Sequence, residues 1–181
     1  GTIDMVTNST IMIPCEILDF FEENKERTRI ILSDYGKELS KEIGNIEEQL
    51  MGRGITYRIS KLSGDDLYYG GWIDFSDHSL KWKTKEERDA NAMKCLHGTG
   101  KYFVINDGCI HRCSRSYWRM KSGIIPYTKG EYVPLLDEDI SLEEKRALLL
   151  GMLDMVSSTS CAHCIGFRNG IPRVKPAIQL Q

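Results

Sequence analysis

The sequence predicts an α/β chain whose first part is a parallel sheet with its connecting helices and whose second part is a small, cysteine-rich α+β region. Three observations predict this. Between residues 2 and 59 the patterning alternates strand, helix, strand, helix, strand, which is how βαβ units around a parallel sheet read. Five of the six cysteines, Cys95, Cys109, Cys113, Cys161 and Cys164, lie in the second half. The charge divides at the same place: residues 1–94 hold 13 basic and 18 acidic side chains (net -5), and residues 95–181 hold 11 and 8 (net +3).

The first expected strand is Thr2–Val6, closed by the polar turn Thr7-Asn8-Ser9-Thr10. Pro14 suits a first helical turn, and Ile17, Leu18, Phe20 and Phe21 supply an apolar stripe to about Asn24. The second strand, Thr28–Leu32, runs into Ser33-Asp34-Tyr35-Gly36. Leu39, Ile43, Ile46 and Leu50 then recur at helical spacing until Gly52 and Gly54 mark an exit. The third strand is Ile55–Ile59. Ligands in parallel α/β sheets bind beyond the carboxyl ends of strands, and those ends carry Thr7, Asn8, Ser9, Ser33, Asp34, Ser60 and Lys61. The same residue types also simply make turns.

Periodicity lapses over 62–94, where Gly64, Tyr68, Tyr69, Gly70, Gly71, Trp72 and Trp82 precede a charged stretch; this reads as a bridge whose aromatics pack it down. Residues 101–112 read as a hairpin about Asp107-Gly108. Ser141-x-x-Glu144 is a capping box opening a helix with Leu142, Leu149, Leu153 and Val156 on one side. The Ser/Thr run 157–160 ends it, Cys161-Ala-His-Cys164 follows, and an extended run, Val174–Leu180, is broken by Pro176.

Composition bounds the rest. With 181 residues, 41% hydrophobic and 28% charged, the chain can bury a core and is neither collagenous nor disordered. Net charge -2 gives no basic footprint for nucleic acid. No apolar run approaches the roughly 20 residues that span a bilayer, and the N-terminus shows no signal-peptide pattern. The expectation is a cytoplasmic protein with neither nucleic-acid nor membrane partner.

In a cytosolic chain this cysteine density suggests metal or redox chemistry before disulfides. Cys95 and Cys113 flank the hairpin and Cys161-x2-Cys164 follows a helix; four thiolates from two elements suit a tetrahedral zinc or an iron–sulfur cluster. The first pair reads Cys-x12-Gly-x4-Cys, a loop too wide for a zinc knuckle of the usual kind. Arg112, Arg115, Arg119 and Lys121 surround Cys113 and either offset a cluster's negative charge or form a solvated face. Cys109 reads as a small buried hydrophobe, with a fifth thiol near the cluster as the alternative. His97, His111 and His163 stand close to the cysteines and read as supporting or surface residues, with a ligand or proton carrier as the alternative.

Cys-x12-Gly-x4-Cys followed by Cys-x2-Cys resembles the auxiliary-cluster domain of radical S-adenosylmethionine (SAM) enzymes, in the shortened single-cluster (Twitch) form rather than the seven-cysteine SPASM form. Thr7-Asn8-Ser9 resembles that family's TNG stretch after the third barrel strand, with Ser9 in place of the glycine. Ile31-Leu32-Ser33-Asp34-Tyr35-Gly36 resembles its fourth strand. The resemblance implies a portion of a partial (β/α) barrel over 1–75, a linker over 76–94 and an auxiliary [4Fe–4S] domain over 95–181. It implies Cys95, Cys113, Cys161 and Cys164 as cluster ligands, with Asn8 and Ser33 near SAM. The family's Cys-x3-Cys-x2-Cys loop, which binds the SAM-cleaving cluster, is absent from these residues; Cys109-x3-Cys113-x2-Ser116 lacks its third thiolate. With no initiator Met and a start inside a strand, the chain is expected to be the C-terminal portion of a longer protein. That intact protein would bind SAM and a second [4Fe–4S] cluster, generate a 5′-deoxyadenosyl radical with electrons from a flavodoxin or ferredoxin, and act on a peptide or small-molecule substrate. The competing expectation is a non-enzymatic four-cysteine zinc module.

Overall fold

A computed structural model describes residues 1–100 and 102–176 as a mixed α/β chain. It forms two compact units: one of residues 1–72 joined by the described residues from Arg173 on, the other Ile73–Pro172.

In the first unit, β1 (Ile3–Thr7), β2 (Thr28–Asp34) and β3 (Tyr57–Lys61) form a parallel sheet in the order β1-β2-β3. Register pairs Thr7 with Leu32 and Ser33 with Ser60. Two helices make the crossovers, α1 (Cys15–Glu23) and α2 (Ile43–Arg53). Ile30 and Leu32 of β2, Leu18 and Phe21 of α1, and Ile46 and Leu50 of α2 form the core with Ile13 and Ile55.

Two expected boundaries shift, for local reasons. The helical spacing from Leu39 becomes helix only at Ile43, because Ser40 is taken up in a turn. Its buried hydroxyl accepts the Tyr35 N–H (2.9 Å) and lies 2.9 and 3.1 Å from the Asn8 and Ser33 carbonyls. The third strand begins at Tyr57 rather than Ile55 because α2 ends in a Schellman turn. Gly54, at φ 64, donates to the Met51 carbonyl, and the Ile55 N–H reaches that of Leu50 at 2.9 Å. Ile55 is thereby spent on the hydrophobic contact that closes the helix.

The second unit contains α3 (Lys85–Ala92), α4 (Leu96–Thr99), β4 (Val104–Asn106), β5 (Cys109–His111), α5 (Ser114–Lys121), β6 (Tyr132–Pro134), α6 (Leu142–Asp154) and a 3-10 turn, Thr159–His163. Its sheet is antiparallel in the order β4-β5-β6. The expected hairpin is present: Asp107 (φ 46) and Gly108 (φ 70) occupy its two-residue turn, the geometry that favours Asp-Gly. The capping box of α6 is also present, Ser141 Oγ accepting the Glu144 N–H and the Glu144 carboxylate accepting the Ser141 N–H.

Three expectations are corrected. Residues 76–94 are not a linker: Thr84 and Glu87 form a capping box that opens α3, and the segment lies wholly within the second unit. The stripe Leu142, Leu149, Leu153, Val156 is not the buried face of α6; Leu142 and Val156 are exposed and Met152 is the side chain that is fully buried. The C-terminal run does not belong with the cysteine-bearing unit, since Val174 pairs with Trp72 in the first. Lys101, expected in the hairpin, and 177–180 of the extended run lie outside the described residues. No described helix is long and apolar enough to cross a membrane.

Leu50 ties the core to the Schellman turn. Leu50→Ala is expected to cost the first unit about 2–5 kcal/mol, read as a lowered urea midpoint, whereas Met51→Ala, at an exposed neighbour, should change stability by less than about 0.5 kcal/mol.

Candidate metal centre

The second unit's four expected ligands arise on three elements. Cys95 immediately precedes α4, Cys113 immediately precedes α5, and Cys161 and Cys164 bracket the end of the 3-10 turn. All six cysteines are free thiols.

Two consecutive amides connect two of these cysteines. The Gly166 N–H donates to Cys164 Sγ (3.4 Å) and the Phe167 N–H donates to Cys95 Sγ (3.3 Å). Gly166 sits at φ 82, the left-handed backbone region that favours glycine. The Leu96 N–H completes the join by donating to the Phe167 carbonyl (2.8 Å). Backbone N–H groups aimed at cysteine sulfur are the donors that stabilise a metal-bound thiolate.

Cys161 is drawn in electrostatically. Its thiol is held above the ordinary range, first by burial and further by charge on Cys113 and Cys164, against hydrogen bonding to Ser158. A cation among these sulfurs would oppose that shift and favour loss of the proton. Among the described residues, no three His, Cys, Asp or Glu side chains are gathered tightly enough to enclose a metal ion as they stand. The donor chemistry fits a thiolate-bound metal or cluster: soft sulfur ligands from separate elements, with amides directed at two of them.

The loop is held from outside. Trp82 Nε1 and Asn91 Nδ2 both donate to the Cys164 carbonyl, at 2.8 and 2.9 Å, and the Lys81 and Trp82 amides donate to the Ala162 carbonyl. The Glu131 carboxylate accepts the Thr159 N–H and hydroxyl (2.7 and 2.8 Å). Of these, only Trp82 was marked in the sequence, as an aromatic that packs the 62–94 segment; Asn91 and Glu131 carried no signal.

The four basic residues about Cys113 prove to have separate partners. Arg112 donates to the Met152 carbonyl (2.8 Å), and Arg115 lies over the Phe75 ring at 4.1 Å. Arg119 is buried, and Lys121 pairs with Asp107 at the surface. His97 is pushed down to about 4 by burial and then by Arg115, and burial also lowers His111. Cys109 stands in β5 with its thiol raised by burial and by Asp107 and Asp137. Cys15 is exposed at the start of α1.

Asn8 and Ser33 belong to the first unit. Asn8 Oδ1 accepts the Thr10 N–H and hydroxyl, Ser33 is buried in β2, and the Ser40 hydroxyl brings their carbonyls together. Ser9 adopts φ 56 in place of a glycine, and its buried hydroxyl, like that of Ser60, meets no hydrogen-bond partner.

In reduced, metal-free protein the raised Cys161 thiol is mostly protonated near neutrality, so iodoacetamide should alkylate it more slowly than exposed Cys15, with the gap narrowing as pH rises. Peptide mass spectrometry of a timed reaction measures both rates, and equal rates would contradict the burial of Cys161.

Comparison with family models, curated proteins and solved structures finds no match to this chain.

Proposed function

We propose that the second unit binds an auxiliary [4Fe–4S] cluster through Cys95, Cys113, Cys161 and Cys164, and that the chain is part of a radical SAM enzyme acting on a peptide or small metabolite. The observation that carries this reading is the pair of consecutive amides on Cys164 and Cys95, which joins the two halves of the cysteine pattern at one loop. When bound, such a cluster supplies a site for substrate ligation or for taking up an electron.

The chain's own residues have defined tasks in this reading. The four cysteines give up their protons on binding, which makes retention weaker as pH falls. The Gly166 and Phe167 amides stabilise charge on two of the sulfurs. Arg112, Arg115 and Arg119, on and just before α5, add positive charge to the unit that would carry a net-negative four-thiolate cluster. In the first unit the parallel sheet would form a portion of the partial barrel, with SAM near Asn8 and Ser33 at the carboxyl ends of β1 and β2. A flavodoxin or ferredoxin would donate electrons to the intact enzyme, and the cytoplasm is the compartment in which free thiols in this number persist.

The test is iron, sulfide and zinc content with a visible spectrum after reconstitution without oxygen. About four irons and four sulfides per chain with brown thiolate-to-iron absorption is the expected result. Cys161→Ala and Cys164→Ala should abolish retention, while Cys15→Ala should leave it intact. One zinc per chain and no colour would replace this reading with a structural zinc module. Equal loss in Cys15→Ala would overturn the ligand assignment.

A further inference from the structure

Arg119 of α5 is 1% exposed, and the hydrogen bonds of its side chain run to one short stretch of chain and its support. Nη1 donates to the Ser160 carbonyl (3.0 Å) and hydroxyl (2.8 Å), and Nη2 donates to the His163 carbonyl (2.9 Å). Ser160 and His163 are the residues immediately before Cys161 and Cys164. The two bonded carbonyls therefore belong to the peptide groups that lead into the two cysteines, and a single rigid fork fixes one peptide plane against the other.

The fork is itself fixed. Arg119 Nε donates to His78 Nδ1 (3.3 Å), and the His78 carbonyl accepts the Nδ1–H of His163 (2.9 Å). The Trp118 ring lies against the His78 ring, with centroids 4.8 Å apart. On the other side Glu131 holds Thr159 by its amide and hydroxyl. A buried cation with all three nitrogens engaged in this way has no further task within α5; its bonds fall on the cysteine loop.

We propose that Arg119 is a positioning residue for the Cys161–Cys164 loop, setting the relative placement of the two thiolates and so the affinity and ligand field of the centre they form. This rests on the metal-centre reading above, and it adds that the loop is shaped by the protein before any metal arrives. Lysine retains the charge but is a point donor without the fork, so Arg119→Lys separates geometry from charge.

The experiment compares wild type, Arg119→Lys and Met152→Ala, a core truncation in the same unit at a side chain that makes no hydrogen bond to the loop. Each full chain is titrated anaerobically with cobalt(II), and hydrogen exchange over residues 158–167 is followed in the metal-free proteins. Arg119→Lys should lose about ten-fold or more in cobalt affinity, the size typical of residues that orient metal ligands. It should also shift the sulfur-to-cobalt charge-transfer band and exchange faster over 158–167. Met152→Ala should keep the wild-type band and affinity even where its melting temperature falls as far. Wild-type affinity, band and exchange in Arg119→Lys would overturn the proposal. A wild type that takes neither cobalt nor iron would remove the metal-centre reading, and the exchange comparison then decides the clamp alone: faster in Arg119→Lys supports it, unchanged overturns it. Should Arg119→Lys not fold, His78→Ala, which removes the Nε partner and the ring against Trp118 but keeps the backbone carbonyl that His163 uses, should show the same changes in smaller measure, and their absence would overturn the proposal.

Discussion

An irregular loop buried in a protein cannot satisfy its own backbone, and residues 158–167 of this chain are under that constraint. Ser158, Ser160, Ala162 and Cys164 are all buried, yet the 3-10 turn they belong to makes few bonds of its own. Its carbonyls are met instead by donors from elsewhere: Arg119 at Ser160 and His163, the Lys81 and Trp82 amides at Ala162, and Trp82 Nε1 and Asn91 Nδ2 at Cys164. Since an unpaired buried carbonyl is costly, the elements carrying these donors must pack around the loop. That is why α3, α5 and the 78–82 segment belong to one unit.

The same constraint makes the loop suitable for cysteine chemistry. With its carbonyls committed outward, the amides of Gly166 and Phe167 are left to donate to sulfur. Burial of the loop also raises the Cys161 thiol, with charge on Cys113 and Cys164 adding to it.

The first unit uses a milder form of the principle. The carboxyl ends of β1 and β2 are joined by one side chain, Ser40, and by the Glu42 N–H donating to the Ser9 carbonyl (3.0 Å). Those contacts delay α2 by one turn and fix the rim on which Asn8 and Ser33 stand. The unpartnered hydroxyls of Ser9 and Ser60 show that this rim holds more polar groups than its own backbone satisfies.

What could be read from the sequence alone was what is encoded within a few residues. The strand–helix alternation, the Asp107-Gly108 turn, the Ser141–Glu144 capping box and the Cys161-x2-Cys164 pair each depend on spacing of four or less, or on a period repeated locally, and each appears in the structure. Tertiary structure decided what depends on distant partners. Arg119 reads as one basic residue among four, and only packing reveals that it reaches the peptides before both cysteines while Lys121 stays at the surface. Residues 76–94 read as a linker because their charged helix has no apolar stripe; their role lies in Trp82 and Asn91, whose shared partner, Cys164, is 82 and 73 positions away. Local pattern fixes backbone conformation through short-range sterics and hydrogen bonds, whereas the satisfaction of a buried loop is a property of the packed whole.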